Sequence, residues 1–198
     1  MMEKTRIHLI RHGEVEGSNR YNGHGDVRLT SRGEDQYHQL KPRLDPDRIS
    51  AIYTSDLFRT VRGGEILGSY LGVEPVKLPQ LRELNCGAWQ GLSLAEIQLN
   101  RPGEWAARLA DLENFRPPGG ESPRDLAARV LPALAEVVAR HRGEEVLVVA
   151  HGGVNRVILM DAIGAPVSSM FSIEQLYCCM NVIDYYADGN AVVNLVNG

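Results

Sequence analysis

The chain has 198 residues, a formal net charge of −4 from 21 basic and 25 acidic residues, and no run of five like charges. It therefore offers no polybasic face for nucleic acid or a membrane surface, and the expected partner is small. No stretch of about 18 apolar residues occurs and no apolar signal region precedes the first strand pattern, which gives the expectation of a soluble, unexported chain with no membrane partner. This length suffices to bury one core, so residues 1–198 are read as one domain. Of the three cysteines, Cys178 and Cys179 are neighbours, with Cα atoms about 3.8 Å apart, below the usual disulfide range. A reducing cytoplasm is the expected location.

In chain order, the apolar run Ile7–Ile10 reads as a strand that ends in the charged cluster Arg11-His12-Gly13-Glu14. His8 and His12 have the spacing of a helical zinc pair, but four residues of strand span about 13 Å, too far for one ion. His8 is instead read as a strand residue packed or hydrogen-bonded locally. Ile49–Tyr53 is a second strand, followed by a helix from Asp56 to Leu71. Gly63 and Gly64 interrupt that helix, implying looseness or the close approach of another backbone. Ser93-Leu94-Ala95-Glu96 opens a helix with a capping box.

The Pro/Gly-dense stretch Arg116–Pro123 is read as an ordinary turn before a helix, with anion reception by the helix N-terminus as the sharper alternative. That helix has Ser122 as N-cap and Pro123 at its first position, and runs to about His141. Val146–Ala150 is a third strand, ending at His151-Gly152. Two last strands turn about Asp188-Gly189-Asn190 as a hairpin. Strands alternating with helices predict an α/β three-layer sandwich: a mostly parallel central sheet with an antiparallel edge, and helices on both faces.

Several chemistries drop out. Neither CxxC nor HExxH supports a metal, so no metal is expected; with neither GxGxxG nor GxxxxGK[ST], no nucleotide cofactor is expected. No Gly-x-Ser-x-Gly elbow marks a serine hydrolase. What remains is a His-Gly pair just past each of two strand ends, at His12-Gly13 and His151-Gly152. Ligands of open α/β sheets bind in the crevice at the carboxyl ends of strands, so both histidines are expected to face one pocket.

The fragments LIRHGE, RYNGHGDVRLTSRG, YTSDLFRT, LRELNCGAWQGLS, GGESPRDLAARV and VVAHGGVNRVIL, in this order, resemble the histidine phosphatase superfamily in its phosphoglycerate-mutase-like branch. The resemblance spans nearly the whole chain. It implies His12 as the nucleophile that becomes phosphorylated, with Arg11, Arg59 and His151 as the phosphate clamp. It implies Glu83 as the acid that protonates the leaving oxygen and later activates water, with Glu14 as rival. Asn19 and Gly152 are carried as phosphate contacts, although the family commonly places its Asn six residues after the nucleophile, where this chain has Ser18. Cys86 stands at a position that is often aromatic.

Mutases of the superfamily resemble ERHYGALQGLNK after the acid, where this chain has neutral Leu84, Asn85 and Leu94 in place of charges. A phosphatase needs only to grip one phosphate and admit water, and so fits better than a cofactor-dependent mutase. The opening is similar to the α-ribazole phosphatase group and to broad-specificity phosphatases. The implied partner is a small phosphorylated metabolite, and a homo-oligomer is compatible with the sequence. The third reading, a non-catalytic phospholigand-binding protein, sits poorly with the full set His12, Arg11, Arg59, Glu83 and His151. Substrate choice is assigned to the stretch from Leu92 to Pro118.

Overall fold

The computed structural model describes residues 3–198. Its strands are β1 (Lys4–Arg11), β2 (Ile49–Thr54), β3 (Pro75–Lys77), β4 (Glu145–Ala150), β5 (Met180–Tyr186) and β6 (Ala191–Leu195). They form one six-stranded sheet in the order β3-β2-β4-β1-β5-β6. β3, β2, β4 and β1 run parallel, and the hairpin β5–β6 closes one edge antiparallel. The helices are α1 (Ser31–Leu40), α2 (Phe58–Leu71), α3 (Leu94–Asn100), α4 (Pro102–Ala110), α5 (Pro123–Arg140) and α6 (Gly152–Ala162).

Strand alternation divides the apolar residues between two faces. Ile7, Leu9, Val146, Val148 and Ala150 pack with Leu126 and Val130 of α5 and Val154 and Val157 of α6. Ile10, Ile52, Leu147 and Val149 pack with Tyr37 and Leu40 of α1 and Ile66 and Leu67 of α2. Each fully buried aliphatic side chain contributes about 1.5–3 kcal/mol relative to exposure. The molecule is thus the α/β sandwich that the alternation of strands and helices implies, with helices on both faces.

The parallel pairing of β1 with β4 aligns Arg11 with Ala150. The residues that follow them, His12 and His151, therefore emerge side by side, and His12 N donates to Ala150 O at 2.9 Å. The site begins in this register.

Four elements went unread in the sequence. α1 is mostly polar, β3 is a three-residue edge strand opening on Pro75, α4 buries no residue, and α6 begins with two glycines. α2 starts at Phe58 rather than Asp56. The Asp56 carboxylate is held by Arg82, and Phe58 N is capped instead by Asp26 Oδ1 at 2.6 Å.

The glycines inside α2 also have a different cause from the backbone approach expected of them. A Cβ on Gly63 would lie 2.1 Å from Tyr37 Cζ, and one on Gly64 would lie 2.5 Å from Thr54 Cγ2. Both glycines admit side chains. Tyr37, so seated, accepts from Gly13 N and donates to Arg59 O, each at 3.2 Å, tying the loop after β1 to α2. His8 is held across the sheet by Glu145, Nε2 to Oε2 at 2.8 Å.

Candidate active site

His12 is 5 % exposed, and its ring lies 5.3 Å from that of His151, edge to face. Its Nδ1 is 2.8 Å from Gly13 O. A carbonyl can only accept, so Nδ1 carries the proton and Nε2 keeps its lone pair. Burial, then the Arg59 and Arg11 guanidiniums, hold the imidazole well below its ordinary range. His12 is thus neutral, with one nitrogen tied back and the other free.

His151 is fully buried. Its Nδ1 accepts from Arg59 Nε at 3.3 Å, so its Nε2 is the protonated nitrogen and donates to Ser55 Oγ at 2.8 Å. Ser55 Oγ also accepts from Leu57 N and lies 2.7 Å from Thr60 Oγ1, which completes a chain from the ring into the start of α2. Burial and then Arg59 lower this imidazole too. In the free protein His151 is therefore neutral, not the cation that a phosphate clamp calls for.

Arg59, 1 % exposed, is aimed by the carbonyls of Gly23 and Gly25, each 2.8 Å from a terminal nitrogen. Arg11 lies over the Tyr177 ring at 4.0 Å and donates from Nη1 to Gln175 O, while its buried Nε has no partner. Gly152 is buried; a Cβ there would come within 3.1 Å of Arg156 Nη1 and 3.4 Å of Arg11 Nε. Its lack of a side chain lets those two guanidiniums converge.

Glu83 projects onto the first turn of α6. Both carboxylate oxygens are 3.1 Å from Gly153 N, and Oε1 also accepts from Leu84 N at 2.8 Å. The loop carrying it is clamped from behind: Arg129 donates to the carbonyls of Gln80, Arg82 and Glu83, and His24 Nε2 is 2.9 Å from Glu83 O. The stretch Arg116–Pro123 forms part of this clamp. Gly120 lies so close that a Cβ would be 2.6 Å from Asn85 O, and the Ser122–Asp125 capping box satisfies the N-terminus of α5 internally.

Arg11, His12, Arg59 and Glu83 line one cleft, with Gly153 and Arg156 at the same end. His151 stands directly behind His12 and Arg59. Two candidates fall elsewhere. Asn19 is exposed and absent from the cleft wall, to which Ser18, Tyr21 and Asn22 of the same loop contribute. That loop turns Asn19 out to solvent, contrary to the expected phosphate contact. Glu14 accepts from Thr30 Oγ1 at 3.1 Å and does not line the cleft, so it braces the loop into α1. Arg156, Tyr177, Ser55 and Arg129 went unread; of these only Arg156, one helical turn after Gly152, had a spacing signal.

The stretch from Leu92 to Pro118 folds as α3 and α4 over the cleft. Cys86, Trp89 and Ile97 are buried there against Tyr21, Trp105 and Phe115. Cys86 thus takes its place in an aromatic wall, where burial raises its thiol to about 12.

The two neutral histidines set a pH dependence. Their folded-state values lie below 6.5, the ordinary value reached in the unfolded chain. Below that pH the unfolded chain binds protons that the folded one refuses, so the stabilisation is complete above 6.5 and is lost as the pH falls from there. Each histidine is expected to lower stability as the pH falls through that window, by at most about 1.4 kcal/mol per pH unit. Urea melts between pH 6.5 and 5 check this; unchanged stability across the window would contradict neutral burial.

Known proteins bear on this arrangement. A family model described as histidine phosphatase superfamily (branch 1) matches residues 7–198. A probable phosphoglycerate mutase, GpmB, of Erwinia tasmaniensis is 31% identical over 183 residues, 91% of this chain and 85% of that protein. The α-ribazole phosphatase of Shigella flexneri superposes with a TM-score of 0.88 at 26% identity, covering 98% of this chain and 96% of that one. A mycobacterial glucosyl-3-phosphoglycerate phosphatase superposes at 0.86 with 29% identity, covering 98% of both chains. With the paired strand-end histidines and their arginines in place, and a family match running almost from end to end, the chain belongs to branch 1 of the histidine phosphatase superfamily.

Proposed function

We propose that the chain is a metal-independent phosphomonoester hydrolase that works through a phosphohistidine on His12. The observation that carries this is the Nδ1 bond to Gly13 O, which leaves a free lone pair on Nε2 beside Arg11 and Arg59. His12 Nε2 attacks phosphorus and the P–O bond to the leaving group breaks. Glu83, entering as the carboxylic acid, gives its proton to the leaving oxygen. A water then bonds to phosphorus as the P–N bond breaks, and the Glu83 carboxylate takes the proton of that water.

Arg11 and Arg59 hold the equatorial oxygens, and the orphan Arg11 Nε is a donor awaiting an acceptor. A bound dianion favours protonation of His151 at Nδ1, the nitrogen that accepts from Arg59 Nε in the free protein, so a clamp role for His151 requires that contact to be exchanged for a phosphate oxygen. Asn22, which lines the cleft, is better placed than Asn19 for a further contact. Hydrolysis is favoured over mutase chemistry by the neutral Leu84, Asn85 and Leu94 after the acid. Candidate substrates are small phosphate esters, with α-ribazole 5′-phosphate among them because of the Shigella relative. A panel of phosphomonoesters assayed with and without EDTA tests the reading. Turnover that persists in EDTA is expected; complete loss restored by a divalent ion would reject it.

A further inference from the structure

Arg59 is aimed by two carbonyls and by His151, but the Arg11 guanidinium makes one hydrogen bond among the described residues, from Nη1 to Gln175 O at 2.5 Å. The Tyr177 ring, 4.0 Å from the guanidinium carbon, adds a contact with little direction. The aim of Arg11 therefore rests on one carbonyl. Residues 174–176 lie in neither helix nor strand, so no regular backbone pairing fixes that carbonyl.

The Gln175 side chain supplies what the backbone lacks. Its Oε1 accepts from Asn181 Nδ2 and its Nε2 donates to Asn181 Oδ1, each at 2.8 Å. Nε2 also donates to Glu174 O at 3.0 Å. Asn181, on β5, donates in addition to Leu9 O at 3.1 Å, on the same strand as Arg11, and accepts from Asn197 N at 2.9 Å. The Asn155 amide, in the first turn of α6, lies 3.0 Å from Gln175 Oε1, 3.2 Å from Arg11 N and 3.1 Å from His151 O. Asn155, Gln175 and Asn181 are all buried, and none of them lines the cleft. Buried amides are costly unless they satisfy one another, and once satisfied they hold a single geometry. The proposed chemistry uses none of the three.

We infer that Gln175, locked by Asn155 and Asn181, is a positioning residue whose main-chain carbonyl aims Arg11 at the phosphate. This rests on the phosphatase reading for the role of Arg11. It places the support of the phosphate grip in a buried amide cluster that touches no substrate.

A double-mutant cycle tests it. Gln175→Met keeps the length of the side chain and removes the amide. It is expected to lower kcat/KM for phosphomonoesters by about 10–100-fold, the scale on which a displaced binding group acts, and to weaken calorimetric binding of inorganic phosphate. In an Arg11→Gln background the same change should cost less than about 2-fold, because no guanidinium remains to be aimed. In an Arg59→Gln background the loss should persist. A purely structural role would cost the same in every background. An undiminished loss in Arg11→Gln, a loss abolished equally in Arg59→Gln, or no loss in the wild-type background overturns the inference. Circular dichroism establishes folding. If Gln175→Met does not fold, Gln175→Asn, which withdraws the amide by one methylene, carries the same cycle. If wild type turns over no ester, the phosphatase reading fails, and the cycle is read on the phosphate dissociation constant alone. Coupling to Arg11 there upholds the positioning role; absence of coupling, or of phosphate binding by wild type, overturns it.

Discussion

His12→Ala is expected to lose about 10⁴–10⁶ in turnover of every phosphomonoester, the range seen when a covalent nucleophile is removed from a preorganised site. The arginines remain in the variant, so it should still bind phosphate and compete for substrate. Only the atom that forms the P–N bond is missing. Because His12 is buried, truncation also leaves a small cavity, and His12→Gln provides a variant of closer volume. Steady-state rates of both variants, with circular dichroism to establish folding, check the expectation. Turnover within tenfold of wild type in either variant would remove His12 from the chemistry.

Glu83→Gln is expected to slow alkyl phosphates by about 10²–10⁴, because an alkoxide leaves poorly without a proton. An aryl ester departs readily as an anion and should suffer far less in its first step. The second step complicates steady-state rates, since the same carboxylate activates water for both substrates, so single-turnover bursts are needed to isolate phosphorylation. The amide can keep the Gly153 and Leu84 N–H bonds through its carbonyl oxygen, so the fold should hold. Glu14→Gln should show no leaving-group dependence, as Glu14 bonds to Thr30 outside the cleft. Equal first-step losses for alkyl and aryl esters in Glu83→Gln, with selectivity in Glu14→Gln, would transfer the role to Glu14.

Local signals fixed the legible part of the fold. The runs that became β1, β2 and β4 are apolar because they are buried on both faces, while Ser93 announces its helix by a capping box and Ser122 by an N-cap followed by Pro123, both of which form. The pairing of His12 with His151 could be inferred because both follow strand ends, but the register that makes them neighbours is a property of the sheet. What stayed hidden depends on contacts distant in sequence. Tyr37 explains Gly63 from 26 positions away in the chain, and Arg129 secures Glu83 from 46. Nor does local spacing say that Asn19 turns outward while Asn22 lines the cleft, or that the tautomer of His151 is set by Arg59 on one side and Ser55 on the other.

The central claim is that phosphate passes through Nε2 of His12. Rapid quench with ³²P-labelled substrate, followed by peptide mapping, tests it directly. The expected result is an acid-labile, base-stable phosphoenzyme whose label resides on the peptide containing His12, is absent from the peptide containing His151, and disappears in His12→Ala. Label on His151, or label that still accumulates in His12→Ala, would contradict the account.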